Sequence, residues 1–250
     1  MKEGMTYRDA AKYKECQTEK VVIKHSVKRA VHKRMIGIAG AESNIGTTHN
    51  AIVLANFFRK KGFMTALAEC NHSGAFEAVC DSYEESKFEE GYFTMNGIDI
   101  YPNVDEKKMQ TIQERSYNVI ISDFGVFCEE NKDAFERCED RMIIAGSKPW
   151  EMEALNRIFE QASSDVLGKY IFCFNFTHER DYEAIREGMG ELKNVYFLKY
   201  LEEPFAESDF AEGEIIFADI LPEKLQEEEK KGLRGIFGKR KKKGKEKHEK

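Results

Sequence analysis

The stretch that decides the fold runs from Met35 to Phe57 and reads MIGIAGAESNIGTTHNAIVLANF. Its first five residues alternate small and apolar side chains, which is typical of a short buried strand. A loop that contains Gly40 and Gly46 follows, and from Thr47 onward the apolar residues recur with helical spacing. Strand, glycine loop and helix together form a cradle, because backbone N–H groups and the positive end of the helix converge on one anionic site.

The loop departs from the common phosphate-binding pattern of glycine, four residues, glycine, lysine and serine or threonine. Gly46 matches the second glycine, but Ala41 and Thr47 stand at the positions of the first glycine and the lysine. Thr48 keeps a hydroxyl where a magnesium ligand is expected. A lysine beside a phosphate oxygen contributes about 4 kcal/mol at the protein surface, so its absence predicts weaker triphosphate binding. A glycine turn without any ligand is the alternative.

Length and composition limit the remaining possibilities. The chain has 250 residues, of which 41% are hydrophobic and 34% are charged, and this length suits one sizeable α/β core. Because neither a membrane-spanning run nor the apolar centre of a signal peptide is seen, we expect a cytoplasmic protein. The six cysteines are scattered without a Cys-x-x-Cys pair, which indicates reduced thiols rather than a zinc site.

Charge is divided unevenly along the chain. Residues 1–34 carry a net charge of +6, residues 230–250 carry +9, and residues 35–229 carry −21. The acidic body makes nucleic acid an improbable partner, because phosphate backbones are held by basic faces. We therefore divide the chain into a basic flexible N-terminal segment (1–34), one α/β domain (35–222) and a basic amphipathic tail (223–250).

Strands and helices alternate through the middle of the chain, which predicts a single three-layer α/β domain with a mostly parallel sheet. The clearest buried strand runs from Tyr117 to Phe124 and includes Asp123 near its end. Another strand, Phe63 to Ala68, is followed by Glu69. Further strands are predicted at 97–101, 142–145, 170–176, 195–198 and 214–217, and helices at 75–83, 105–115, 151–161 and 182–189.

Acidic residues at the carboxyl ends of two predicted strands suggest a metal-dependent site, since ligands of open α/β sheets collect at that edge. Asp123 is suited to hold magnesium beside the glycine loop. A turn or helix-capping aspartate is the alternative.

The glycine loop, Asp123 and Asn175, in that order, resemble the MinD/ParA family of P-loop ATPases. In that family the loop reads Lys-Gly-Gly-x-Gly-Lys-Thr-Thr, whereas residues 42–49 read Glu-Ser-Asn-Ile-Gly-Thr-Thr-His and lack both lysines. The resemblance implies that Asp123 holds magnesium and that Asn175 contacts adenine, with a turn asparagine as the alternative. It also implies that Asn71 replaces the second of two aspartates, the one expected to position the attacking water.

These arguments define the candidate site, with ATP or ADP and Mg²⁺ as the implied cofactors. The candidate nucleotide-binding residues are Gly40, Ser43, Asn44, Ile45, Gly46, Thr47, Thr48, His49 and Asn175. The candidate metal ligands are Thr48 and Asp123, and the candidate catalytic residues are Glu69 and Asp123.

Within the family, the TadZ/CpaE-like localisation factors of pilus secretion systems also have divergent loops, and the chain resembles that branch. The resemblance implies a catalytically weak or inactive localisation or assembly factor. Its implied partners are proteins of a secretion, pilus or positioning system, or a second copy of the chain. The alternative is an active Mg²⁺-dependent ATPase in which another residue, such as Lys148, supplies the missing charge.

The tail combines a small apolar face with a basic run. Leu233, Ile236 and Phe237 have helical spacing, and Lys239, Arg240, Lys241, Lys242 and Lys243 follow. This composition is typical of a peripheral anchor, in which each basic residue near an anionic leaflet contributes about 1 kcal/mol. It predicts a location on the inner face of the membrane. A solvated, unstructured tail is the alternative, and a nucleic-acid tail is less favoured because no aromatic residues interleave the lysines.

Overall fold

The computed structural model describes residues 33–83 and 90–205. The strands are β1 (Arg34–Gly40), β2 (Thr65–Glu69), β3 (Phe93–Met95), β4 (Ile98–Tyr101), β5 (Val119–Val126), β6 (Asp140–Ala145), β7 (Tyr170–Phe174) and β8 (Val195–Phe197). The helices are α1 (Thr47–Lys60), α2 (Ala75–Ser82), α3 (Glu106–Glu114), α4 (Glu129–Glu136), α5 (Pro149–Gln161), α6 (Ser164–Leu167) and α7 (Tyr182–Gly188), with a 3₁₀ turn at Glu179–Asp181.

The eight strands form one sheet in the order β3-β4-β2-β5-β1-β6-β7-β8. Every neighbouring pair is parallel except β3 and β4, which are antiparallel. Because parallel strands are joined by crossovers, helices cover the two faces of such a sheet. The predicted single three-layer α/β domain with a mostly parallel sheet is therefore confirmed.

The two faces of the sheet carry separate hydrophobic cores. On one face, α1 packs residues such as Leu54 and Phe57 against Ile36 and Ile121 of the central strands. On the other face, α4 and α5 contribute a second core whose members include Phe135, Leu155, Phe124 and Phe172. The central strands are thus apolar on both sides, which explains why they appear in the sequence as continuous apolar runs.

The structure adds elements that the sequence analysis did not predict, and it shifts some boundaries. The short edge strand β3 and the helices α4 and α6 were not predicted, and α5 begins two residues before the predicted helix. Arg34, which was assigned to the N-terminal segment, begins β1, and its guanidinium Nη2 donates to Asp140 at 2.6 Å. The predicted strand at 214–217, most of segment 1–34 and the tail lie outside the described residues.

The pairing of β1 with β5 brings the glycine loop and Asp123 to the same edge of the sheet. The two strands are parallel, with Ile38 opposite Asp123 and Gly40 opposite Val126. Glu69 of β2 lies opposite Asp123 on the other side of β5. Within the described ranges, no helix combines the length and the hydropathy that a bilayer crossing needs.

Candidate functional site

The glycine loop turns sharply between β1 and α1. Asn44 and Gly46 both have positive φ angles, 59° and 91°. At Gly40, an added Cβ would lie 2.3 Å from Thr47 Oγ1, so only glycine allows the start of α1 to approach the strand this closely. The Thr47 side chain is consequently buried against the base of the loop.

The first turn of α1 offers backbone donors to a ligand. Gly46 stands at the N-cap and no side-chain cap is present. The first hydrogen bond into the helix is donated by the Asn50 amide to the Gly46 carbonyl, at 3.0 Å. The amides that precede Asn50 in this turn have no carbonyl within the helix to bond, and together with the helix dipole they favour an anion.

Thr48 and Asp123 form the pair of oxygen groups predicted to hold magnesium. The Thr48 hydroxyl donates to Asp123 Oδ2 at 2.6 Å, and the Gly125 amide donates to Oδ1 at 2.9 Å. Asp123 is fully buried. Burial raises the pKa of its carboxyl, hydrogen bonds from Thr48 and Gly125 oppose that rise, and the charge of Glu69 adds to it.

A magnesium ion fits this pair of residues. Mg²⁺ usually takes one or two protein ligands and completes its octahedron with phosphate oxygens and water. A hydroxyl and a carboxylate that already meet at 2.6 Å supply that number of oxygens. The described residues contain no group of three or more His, Cys, Asp or Glu side chains that could hold a metal without such help.

Glu69 is held by donors at the start of α2. Its Oε1 accepts from the Ala75 amide and the Ser73 hydroxyl, both at 2.8 Å, and its Oε2 accepts from the Asn103 amide at 3.1 Å. The side chain is fully buried. These contacts fix the loops after β2 and β4, whereas a catalytic role for Glu69 stays a prediction.

Asn71 follows β2 by two residues and contacts the backbone of Asp123 at the edge of the sheet. Its Nδ2 donates to the Asp123 carbonyl at 3.3 Å, and its Oδ1 accepts from the Ser73 amide at 2.9 Å. An added Cβ at Gly125, where φ is 64°, would lie 2.8 Å from Asn71 Cβ. Asn71 therefore packs directly against the turn that follows Asp123.

Asn175 braces the glycine loop from behind. Its Nδ2 donates to the Ile45 carbonyl at 3.0 Å, and the side chain is buried. An added Cβ on Gly46 would lie 2.5 Å from the same Nδ2 atom. The structure thus gives Asn175 a contact with the loop itself, and the predicted contact with adenine stays a prediction.

His49, a candidate nucleotide-binding residue, and Lys148, the candidate source of positive charge, both contact other side chains. The His49 ring stacks on Tyr200 with the ring centroids 5.1 Å apart. Burial lowers the pKa of His49, although the nearby Glu203 carboxylate opposes this shift, so the imidazole is mainly neutral at pH 7. The Lys148 ammonium lies 2.8 Å from Glu151 Oε1.

A cavity of about 780 Å³ lies in front of the loop. Among the described residues, those that line it include no lysine or arginine, and its acidic members are Glu42 and Glu130. Sequence reasoning anticipated the loop but missed the opposite wall. That wall comprises Cys70, His72, Phe124, Val126, Cys128, Glu130 and Asn131. The available signal was that these residues lie at the carboxyl ends of β2 and β5 or in the segments that follow them.

No family model and no curated protein sequence matches the chain. Solved structures do match it. The MinC:MinD cell division protein complex of Aquifex aeolicus has a TM-score of 0.54 at 12% identity, covering 68% of this chain and 82% of that one. A Borrelia burgdorferi chain assigned to plasmid partition and bound to AMPPNP has a TM-score of 0.52 at 15% identity, covering 69% and 87%. A plasmid partition protein of the same organism gives 0.52 at 14%, covering 75% and 97%.

The fold is that of the MinD/ParA P-loop ATPases. At these identities the likeness concerns the fold and leaves the chemistry to be argued from the residues. In this MinD/ParA-like domain, the start of the helix that carries Thr48 and the strand that carries Asp123 meet as the sequence analysis expected. The individual roles assigned to the loop residues stay predictions.

The contacts of Glu69 predict that its removal destabilises the fold. We expect Glu69→Ala to lower the free energy of unfolding by about 2–3 kcal/mol, because it removes a buried carboxylate that accepts hydrogen bonds from Ser73, Ala75 and Asn103. Glu69→Gln keeps one carbonyl oxygen and should cost about half as much. Urea unfolding of the three proteins measures this. A loss below about 0.5 kcal/mol for Glu69→Ala would contradict the assignment.

The buried charge of Asp123 predicts that Asp123→Asn stabilises the ligand-free protein. Removing one desolvated carboxylate should raise the midpoint of thermal unfolding by about 2–4 °C at pH 8, roughly 1 kcal/mol for a domain of this size. Because the folded-state pKa is raised, wild type loses stability relative to the variant as the pH rises through that pKa. The difference should vanish below about pH 4, where the carboxyl is protonated in both states.

Scanning calorimetry from about pH 3 to pH 8 measures the difference. An Asn variant that is less stable than wild type at pH 8 would refute the prediction.

Proposed function

We propose that this protein binds an adenine nucleotide with Mg²⁺ and hydrolyses it slowly or not at all. The observation that carries the proposal is the Thr48–Asp123 pair, whose oxygens are 2.6 Å apart at the uncapped start of α1. The amides of that first turn would hold phosphate oxygens, and Thr48 and Asp123 would hold the ion between them and the phosphates. Magnesium would supply neutralisation of the phosphate charge.

Slow or absent turnover is proposed because positive charge is lacking where phosphoryl transfer needs it. The described lining of the cavity has no lysine or arginine, and Lys148 is paired with Glu151. A phosphoryl transition state is stabilised almost entirely by positioning and by positive charge. Asn71, a neutral amide, cannot act as a base toward an attacking water. Binding through backbone amides would survive these losses better than catalysis.

Two observations support adenine as the base of the proposed nucleotide. A similar fold, the Borrelia burgdorferi chain, was solved with AMPPNP bound. In the present chain, exposed Phe176 and Tyr200 lie near each other beside the loop, with ring centroids 5.4 Å apart. Flat apolar rings of this kind can stack on a purine.

We further propose that the protein acts as a localisation or assembly factor at an anionic membrane surface. The support is the net charge of +9 on residues 230–250, which lies next to the apolar set Leu233, Ile236 and Phe237. One of the solved structures with this fold is a complex of MinC with MinD. As partners we propose proteins of a secretion, pilus or positioning system, or a second copy of the chain.

Restoring the missing lysine tests the nucleotide proposal. We expect Thr47→Lys to tighten Mg²⁺-ATP binding by at least tenfold, because an ammonium would face the phosphates; burial of Thr47 keeps the gain below the full Coulomb value. Thr47→Met, which has similar length and no charge, is the matched control and should not tighten binding. Titration calorimetry measures both variants and wild type.

One result would overturn the proposal of Mg²⁺-dependent nucleotide binding, and another would overturn the proposal of slow or absent hydrolysis. Wild-type binding that persists unchanged in Asp123→Asn or in excess chelator would contradict the magnesium site. Phosphate release by wild type faster than about 0.01 per second, above a slow intrinsic GTPase, would reject slow turnover and favour the active ATPase.

Truncation tests the membrane proposal. The full chain should sediment with vesicles that contain phosphatidylglycerol. Less of it should sediment at 0.5 M salt, because salt screens the charges. A chain without residues 230–250 should not bind the vesicles. A control variant replaces the five basic residues 239–243 with glutamine and keeps the apolar set, which separates charge from hydrophobic insertion. Sedimentation that truncation leaves unchanged would exclude the tail as the anchor.

A further inference from the structure

A second cavity, of about 550 Å³, lies between α3 and α4. Its floor includes Ser122 of β5, the neighbour of Asp123 in the strand, and consecutive strand residues face opposite sides of a sheet. The cavity therefore lies on the sheet face away from Thr48 and α1. Ligand sites for small molecules commonly have volumes of about 300–1,000 Å³, so this space is large enough for a ring compound.

The walls of this second cavity are mainly apolar and rich in sulfur. Met35, Val104, Met109, Ala134 and Cys138 contribute to them. Thioether and thiol sulfur atoms make favourable contacts with aromatic rings, and methionine adapts its shape to the molecule that it contacts. A flat aromatic ligand suits such a lining better than a sugar or a phosphate does.

One buried polar group on the floor lacks a hydrogen bond of normal geometry within the described part of the chain, although the Cys70 thiol lies beside it. The Ser122 hydroxyl is fully buried, and it makes no hydrogen bond of normal geometry with any residue in the described ranges. It lies close enough to the Cys70 thiol to oppose the rise in that thiol's pKa that burial causes. A buried hydroxyl without a proper partner is costly, and a ligand with a polar hydrogen or a lone pair would satisfy it.

The charged residues at the edge of the cavity indicate which net charge a ligand could carry. Asp105, Glu106 and Glu130 line it, against a single arginine, Arg137. Arg137 Nη1 lies 3.9 Å from Glu106 Oε1, which joins α3 to α4. The remaining excess of carboxylates disfavours anions and leaves neutral or cationic molecules.

The second cavity shares a wall with the cavity in front of the glycine loop. Cys70, His72, Phe124, Glu130 and Asn131 line both spaces. The Asn131 amide Nδ2 donates to the carbonyls of Phe124 and Val126, at 3.0 and 2.7 Å, and so ties α4 to the segment after Asp123. A molecule in the second cavity would contact the back of this wall.

We propose that the cavity between α3 and α4 is a second ligand site, which takes a small neutral or cationic aromatic molecule whose polar group bonds to Ser122. The site is separate from the anion cradle at α1, so it stands whether or not the protein binds a nucleotide.

Indole, a neutral ring with one N–H group, is the probe. Titrated into the full chain and followed by amide NMR, it should bind saturably with a Kd of about a millimolar or below. The resonances of His72 and Asn131 on the shared wall should shift with that same Kd. Indole-3-acetate, the anionic counterpart, should bind at least tenfold more weakly because of the carboxylates at the edge.

Two substitutions locate the site. Ala134→Phe should fill the cavity and weaken indole binding at least tenfold, whereas Asp133→Phe, on the exposed side of the same helix, should change it less than twofold. Ser122→Ala should weaken indole about three- to tenfold but leave indene, the carbon analogue without N–H, unchanged. Because indole and indene are compared on the same Ser122→Ala variant, this result does not depend on whether Ala134→Phe folds.

The proposal is overturned if indole fails to saturate, or if its shifts fall away from α3, α4 and the shared wall. It is also overturned if Ser122→Ala weakens indole and indene equally, since the hydroxyl would then play no part in recognition.

Discussion

The parallel pairing of β1 with β5 is the constraint on which the rest of the molecule depends. It sets Ile38 opposite Asp123, and so it delivers a buried carboxylate to the point where the chain leaves β1 and turns into α1. The Thr48–Asp123 hydrogen bond follows from this register. A slip of one residue would turn Asp123 to the opposite face of the sheet, into the aromatic core around Phe135. Register and chemistry are therefore fixed together.

The electrostatic character of the site is unusual for a phosphate cradle. The anion binding that we propose for it would rest on fixed backbone dipoles, because the described lining of the cavity contains no lysine or arginine. Glu42 stands at the position of a lysine in the family's loop, and burial keeps His49 mainly neutral. Dipoles orient a ligand strongly but attract it over a short range, whereas charges act over a Debye length. A divalent cation that accompanies the ligand would consequently contribute most of the long-range attraction.

Much of the fold could be predicted because its strands are buried on both faces and appear as apolar runs, as in Val119–Phe124. The helix α4 was missed because its two apolar residues, Ala134 and Phe135, are adjacent and therefore show no helical repeat. The loop and Asp123 were found through local motifs. The hydrogen bonds that hold the loops in place could not be predicted, because they join distant parts of the chain. Asn175 and Ile45 are 130 positions apart, and Glu69 and Asn103 are 34 positions apart. Sequence patterns report local periodicity, and such contacts depend on the complete topology.

The brace from Asn175 has a consequence for how the protein could signal. Its amide holds the Ile45 carbonyl and closely approaches Gly46, so contacts within the chain itself shape the glycine loop. A pre-shaped receptor loses little conformational entropy on binding, and its own backbone reports little about occupancy. A conformational change that reports ligand binding would therefore have to occur in a segment next to the glycine loop rather than in the loop itself. The end of β5 after Asp123, tied to α4 through Asn131, is the segment so placed.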